Sequence, residues 1–196
     1  MTLLADLKLR FGPIRLPARV YLPSPTAVAP GGAPLVLWLA GRSARDVLCQ
    51  ELSAAATAVV IELGSHGGSC SDSYEIEALG WAAEHGVELG AEAAPVIVAG
   101  QLAGAARAAR LAVEAHSRGW PAVRRQVLVR PAFSGLCPAP STVDGAPPAT
   151  IVAGSARRDD GRRYAATLRD AGIEVRELIS DARRALPLHE LVRAVR

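Results

Sequence analysis

Lysine occurs once in this chain, at Lys8, and aromatic side chains make up 4% of it. Nucleic-acid faces are built from clustered basic and aromatic residues. Here the positive charge is arginine scattered from Arg10 to Arg196 with no run of like sign, so a formal charge of +3 gives no support for a nucleic-acid partner. No apolar run approaches the ~18 residues needed to span a bilayer, and the opening MTLLADLKLRFG is too short and too broken by charge for a signal peptide. The expectation is a cytoplasmic protein with no membrane attachment. The three cysteines, Cys49, Cys70 and Cys137, have no C-x-x-C spacing, which predicts reduced thiols and neither a disulfide framework nor a zinc centre. G-x-x-x-x-G-K-[ST] and G-x-G-x-x-G are both absent. No cofactor and no metal are therefore expected.

What is present is enough apolar sequence for one core. The chain has 196 residues, 50% of them apolar and 21% charged, which predicts a single domain over residues 1–196. Short apolar runs at 19–22, 34–39, 58–63, 96–100, 126–129, 150–154 and 174–179 read as strands. Helical segments are expected at 42–56, 73–89, after the strand ending at Gly100, at 159–171 and at 186–195. A proline- and glycine-rich loop fills 131–148. Strands alternating with helices predict successive βαβ units: a doubly wound, mostly parallel sheet with helices on both faces, a three-layer α/β sandwich. In such sheets ligand groups gather beyond the carboxyl ends of the strands.

The most informative stretch is PVIVAGQLAGAARAARLAVE, residues 95–114, an apolar strand, a glycine-bounded turn and an alanine-rich helix. The spacing Gly100-Gln101-Leu102-Ala103-Gly104 is that of the G-x-S-x-G nucleophile elbow, in which two glycines let strand and helix approach closely around a sharply presented middle residue. The middle residue is Leu102, which has no hydroxyl to attack a carbonyl. In the helix, Leu102, Ala105, Ala106, Ala109 and Val113 form a stripe expected to face the sheet. Without catalysis to maintain strain at the elbow, either a relaxed turn or a Leu102 side chain plugging the pocket is expected.

ARVYLP followed by PLVLWLAG, then ALGWAAEHGVELG, the elbow, and RDDGRRYAATLRDAGIEV resemble, in that order, the hormone-sensitive-lipase-like branch of the α/β-hydrolases. The resemblance covers nearly the whole chain. It implies an α/β-hydrolase fold and, for the family, carboxylic ester hydrolysis by a Ser-Asp-His triad with a His-Gly-Gly-Gly oxyanion loop. Matched position by position, that machinery is missing. The oxyanion loop is replaced by Ala40-Gly41-Arg42-Ser43, the nucleophile by Leu102, the acid by Ala156 and the histidine by Arg184, whose guanidinium stays protonated and cannot act as a base. The family's N-terminal cap and the insertion before the acid strand are absent, so the cap is reduced or missing. Loss of a catalytic serine or histidine alone lowers turnover by about 10⁶-fold.

Three readings follow. The first is a degenerate hydrolase fold that binds a small ligand or a partner chain. Arg42, Arg158 and Arg184 follow different strands but share one sheet edge with Leu102, which makes an anionic ligand a candidate; the bland alternative is that these arginines are solvated or paired with Asp159, Asp160 and Asp181. The second is an ester hydrolase with relocated catalytic residues in the loop GSHGGSCSD, where His66 and Cys70 lie close in sequence; the bland alternative for this loop is a polar turn ending in a helix cap. The third, implied by the resemblance, is a structural subunit that forms a homodimer through the last strand and last helix. His85, His116 and His189 read as solvated or helix-end residues, and Trp38, Trp81 and Trp120 as packing.

Overall fold

A computed structural model of the chain describes residues 2–11, 14–40, 47–64, 74–154, 159–180 and 188–195. The first feature is one that the apolar-run reading missed. Leu7, Leu9 and Phe11 alternate with Lys8 and Arg10, the period of a half-buried strand. They form β1 (Leu3–Phe11), which pairs antiparallel with β2 (Ile14–Leu22) from Leu3 opposite Leu22 to Phe11 opposite Ile14. The first strand was expected only at 19–22. Its apolar residues are spread over two alternating strands, so neither strand shows as a continuous run.

The central strands follow as expected. β3 (Leu35–Leu39) and β4 (Val59–Leu63) are buried at every position, which is why they read as nearly continuous apolar sequence, broken only by Glu62. With β5 (Val96–Gln101), β6 (Val123–Val129), β7 (Ala149–Gly154) and β8 (Val175–Ser180) they form one sheet in the order β1-β2-β4-β3-β5-β6-β7-β8. The pairings from β4 through β3 to β8 are parallel, and β2 meets β4 antiparallel. The α/β prediction therefore holds, with an antiparallel hairpin added at one edge.

Side chains alternate between two apolar layers. Leu37, Ile61, Val98, Leu128 and Ile151 point to one face and pack with α2 (Tyr74–His85), α3 (Ala103–Arg118) and α4 (Asp160–Asp170) through Leu79, Leu111 and Leu168. Val36, Val60, Ile97, Val127 and Val152 point to the other, against Leu52 of α1 (Val47–Ala56) and Leu191 of α5 (Leu188–Val195). Helix α2 stops four residues short of the expected end. Gly86 follows it, and residues 87–89 form a 3-10 turn closed by Gly90 at φ 85°, a left-handed conformation that favours glycine.

Parallel strands usually need a helical crossover, yet residues 130–148 join β6 to β7 without a helix. The loop fastens itself with its own side chains. Val143 and Ala146 are buried in the α2–α3–α4 layer. The Phe133 N–H donates to Asp160 Oδ2 at 3.0 Å, and its ring lies 5.3 Å from that of Tyr164. Among the described residues, nothing in this stretch has the size of a cap domain.

One expectation about cysteine is corrected here. Cys49 is a buried thiol outside any disulfide, but Cys137 is disulfide-bonded. An odd cysteine count excludes a fully paired framework, not a single bridge beside one thiol, and the lack of C-x-x-C spacing says nothing about a bridge between distant cysteines. Burial and the neighbouring Glu62 carboxylate raise the pKa of the Tyr21 phenol. It stays protonated and donates to Glu62 Oε2 at 2.7 Å. Among the described residues no helix is long and apolar enough to cross a membrane.

Candidate functional site

The elbow survives in backbone as well as in spacing. Leu102 sits between β5 and α3 at φ 52°, ψ −119°, a region that non-glycine residues avoid because of the clash of Cβ with the backbone. Packing imposes this conformation. A Cβ on Gly100 would lie 2.5 Å from the carbonyl carbon of Gly104, and one on Gly104 would run into the carbonyl oxygen of Leu39, so strand and helix meet at bare backbone. Hydrogen bonds then pin the turn: Leu102 N–H donates to the Val129 carbonyl at 2.9 Å, and the Leu102 carbonyl accepts from Ala106 and Ala132, each at 3.1 Å.

Two expectations about Leu102 are therefore overturned. The turn has not relaxed, and the side chain is 51% exposed instead of being packed away as a plug. Strain at the elbow does not depend on selection for catalysis, because the glycine contacts and three backbone hydrogen bonds hold it. Nor does Leu102 belong to the sheet-facing stripe. It precedes the helix, and the buried face of α3 consists of Ala105, Ala108, Ala109, Leu111, Ala112 and Ala115 with Gly104 and Ala106, while Val113 is only half-buried.

If the strain is stored at this residue, glycine should release it. Leu102→Gly removes about 1–3 kcal/mol of strain but adds about 0.5–1 kcal/mol of unfolded-chain entropy. The expected net gain is about 1 kcal/mol, a rise in Tm of roughly 2–4 °C for a chain of this size. An unchanged or lower Tm would show that the turn is not strained.

Around the elbow stands a polar arrangement that the sequence reading missed. Arg107, one turn into α3, donates from Nε to Glu75 Oε1 of α2 at 2.5 Å and from Nη1 to the Ala40 carbonyl at 3.0 Å. Both charged side chains are largely buried, at 15% and 12% exposure. Such a charge-assisted pair is short and directional. It ties Ala40, the residue after β3, to α2 and α3. Glu75 and Arg107 are 32 residues apart on separate helices, so no local spacing could reveal them.

Arg130 is the second residue missed. It follows β6 next to the elbow, holds φ 47°, and its N–H donates to the Val152 carbonyl at 2.7 Å. The signal available was the Arg130-Pro131 step at a strand end, which reads as a turn and gives no hint of a left-handed arginine. Asp159 does not serve as a free acid. Its carboxylate accepts from Gly154 N at 2.9 Å and from Arg162 N at 3.2 Å, capping α4 and closing the loop after β7.

Of the sequence-derived candidates, only Leu102 falls among the described residues. Gly41, Arg42, His66, Cys70, Ala156, Arg158 and Arg184 lie outside them, and so do the convergence of the three arginines and the pairing of His66 with Cys70. Among the described residues no group of three or more His, Cys, Asp or Glu side chains could hold a metal ion.

The chemistry open to the elbow follows from its parts. Leu102 offers no nucleophile. The N–H groups of the first turn of α3 have no partner within the helix and carry its positive dipole end. In hydrolase elbows the N–H after the nucleophile, here that of Ala103, forms part of the oxyanion hole. The geometry retains an electropositive backbone corner, and the residue it presents, Leu102, carries no nucleophilic atom.

Comparisons with known proteins agree with this architecture. Residues 69–142, less than half of the chain, match a family model described as alpha/beta hydrolase fold. The esterase LipW from Mycobacterium marinum is 21% identical, with a TM-score of 0.77 over 98% of this chain and 79% of that one. The Pyrobaculum calidifontis esterase is 21% identical, with a TM-score of 0.74 over 91% of this chain and 75% of that one. A thermostable esterase from Pseudomonas putida ECU1011 is 20% identical, with a TM-score of 0.73 over 91% and 72%. Comparison with curated protein sequences finds no match. The likeness is one of fold: the chain has the α/β-hydrolase fold, and solved structures that share it are esterases.

Proposed function

We propose that this α/β-hydrolase-fold chain binds a ligand at the elbow without hydrolysing esters. The observation that carries the reading is Leu102, a residue with no nucleophilic atom, held in the strained position from which an elbow nucleophile is presented. A missing serine could in principle be replaced from a neighbouring position, but the residues that match the acid and the histidine are Ala156 and Arg184, and the oxyanion loop reads Ala40-Gly41-Arg42-Ser43. An anionic ligand fits both the dipole end of α3 and the arginines that follow three strands in sequence.

The test is hydrolysis of short-chain acyl esters. No turnover above that of a heat-inactivated sample of the protein is expected. Turnover that survives repurification and is abolished by His66→Ala or Cys70→Ala would favour relocated catalysis instead.

A second reading, a structural dimer subunit, draws support from β8. It is the edge strand of the sheet, and Ile179 on it is 63% exposed. An open edge strand with an exposed apolar side chain is a template for pairing with another chain. Size-exclusion chromatography with light scattering distinguishes the two: a dimer that dissociates on Ile179→Lys favours the subunit, and a monomer rules it out.

A further inference from the structure

Helix α3 presents a second stripe on the side away from the sheet. Arg110, Val113, Glu114 and Ser117 are spaced i, i+3, i+4 and i+7, so they lie along one face. Across from them runs the β6–β7 loop with Pro140, Ser141 and Thr142. Between helix and loop is a cavity of about 350 Å³ lined by these seven residues, within the ordinary range for small-molecule pockets.

Arg110 is the anomaly in its wall. The side chain is half-buried, its Nε is fully shielded, and that atom has no hydrogen-bond partner. A shielded N–H donor is unfavourable unless it is hydrogen-bonded. Folded proteins pair nearly all such groups, so an exception needs a reason. The carboxylate that shares this face is taken. Glu114, four residues along the same face, is bound by Arg118 at 2.6 Å, and no ion pair reaches Arg110 among the described residues. Ser117 turns its hydroxyl back to the Glu114 carbonyl at 2.8 Å. Ser141 and Thr142 bring two more hydroxyls to the rim.

We propose that this cavity is a binding site for a small oxyanion, a phosphate or carboxylate group, held by the Arg110 guanidinium. A guanidinium presents paired N–H groups that match two oxygens of such an anion, and the hydroxyls of Ser141 and Thr142 can donate to a third. The site is separate from the elbow. Arg110 is eight residues beyond Leu102, about 12 Å farther along the helix axis, and it faces the loop instead of the carboxyl edge of the sheet.

The test is thermal unfolding in inorganic phosphate and in acetate, each against chloride at equal ionic strength. A ligand that binds only the folded state raises Tm. Phosphate or acetate is expected to raise Tm of the wild-type protein. The larger shift identifies the anion class, and the shift should shrink as chloride is added. Arg110→Met should shrink the shift, any remainder coming from the elbow, while leaving Tm in chloride equal to or above that of the wild type, since it removes a shielded donor that has no partner. Leu102→Ser should keep the shift, which separates this site from the elbow. No shift with either anion, an equal shift in Arg110→Met, or a lower Tm of Arg110→Met in chloride would each overturn the proposal.

Discussion

Arg107→Met is expected to destabilise the protein by about 3 kcal/mol, because removing one partner of a buried ion pair strips the other charge of much of its compensation. The side chains of Arg107 and Glu75 are 15% and 12% exposed, so solvent screens the loss only slightly. The buried Ala40 carbonyl loses its donor at the same time. The estimate sits at the low end of the range for buried pairs because Glu75 has a further interaction. For a chain of this length the change corresponds to a fall in Tm of roughly 10 °C. Arg107→Met combined with Glu75→Leu should recover most of the loss, since replacing both charges by apolar groups is often neutral. Denaturant unfolding of the two variants decides it: a single variant within about 0.5 kcal/mol of wild type would mean that the clamp does not hold the end of β3.

Gly104→Ala is expected to be comparably severe. The added Cβ would run into the Leu39 carbonyl oxygen. Both sides of the clash are backbone, so no side chain can rotate away. Overpacking of this kind typically lowers stability by about 1–3 kcal/mol and sometimes more. The better helix propensity of alanine, worth roughly 1 kcal/mol, offsets only part of it. A loss of about 2 kcal/mol or more, or failure to fold, is the expected result. Gly135→Ala serves as control, since nothing lies within 4 Å of its built Cβ. Equal stabilities for the two variants would show that strand and helix can separate at the elbow, and the explanation of the strained Leu102 would fall with it.

The elbow shows what can be read from residues and what cannot. The two glycines at the right interval announced a close strand–helix approach, and the structure has it. The conformation of Leu102 was misjudged because strain was tied to catalysis, whereas the carbonyl of Leu39 and the bonds to Val129, Ala106 and Ala132 enforce it. None of those partners is adjacent in sequence. The same holds for Arg107, which looks like one more arginine in an arginine-rich chain until α2 brings Glu75 beside it. The buried central strands were legible because each carries its apolar residues consecutively. The β1–β2 hairpin was overlooked because alternation spreads the same signal over twice the length. Asp159 could have been read either as a displaced acid or as a helix cap, and two backbone N–H donors make it the cap.

Restoring the hydroxyl tests the central claim, that the mount persists while the chemistry is gone. Leu102→Ser places an Oγ where an elbow nucleophile belongs, on a backbone already in the required conformation. Unless a base takes its proton, that hydroxyl remains a weak nucleophile. Hydrolysis of a short-chain acyl ester by this variant, measured beside the wild type, is predicted to show no gain in turnover. A clear gain would mean that a functional base still faces residue 102, and that the chain is an esterase lacking only its serine.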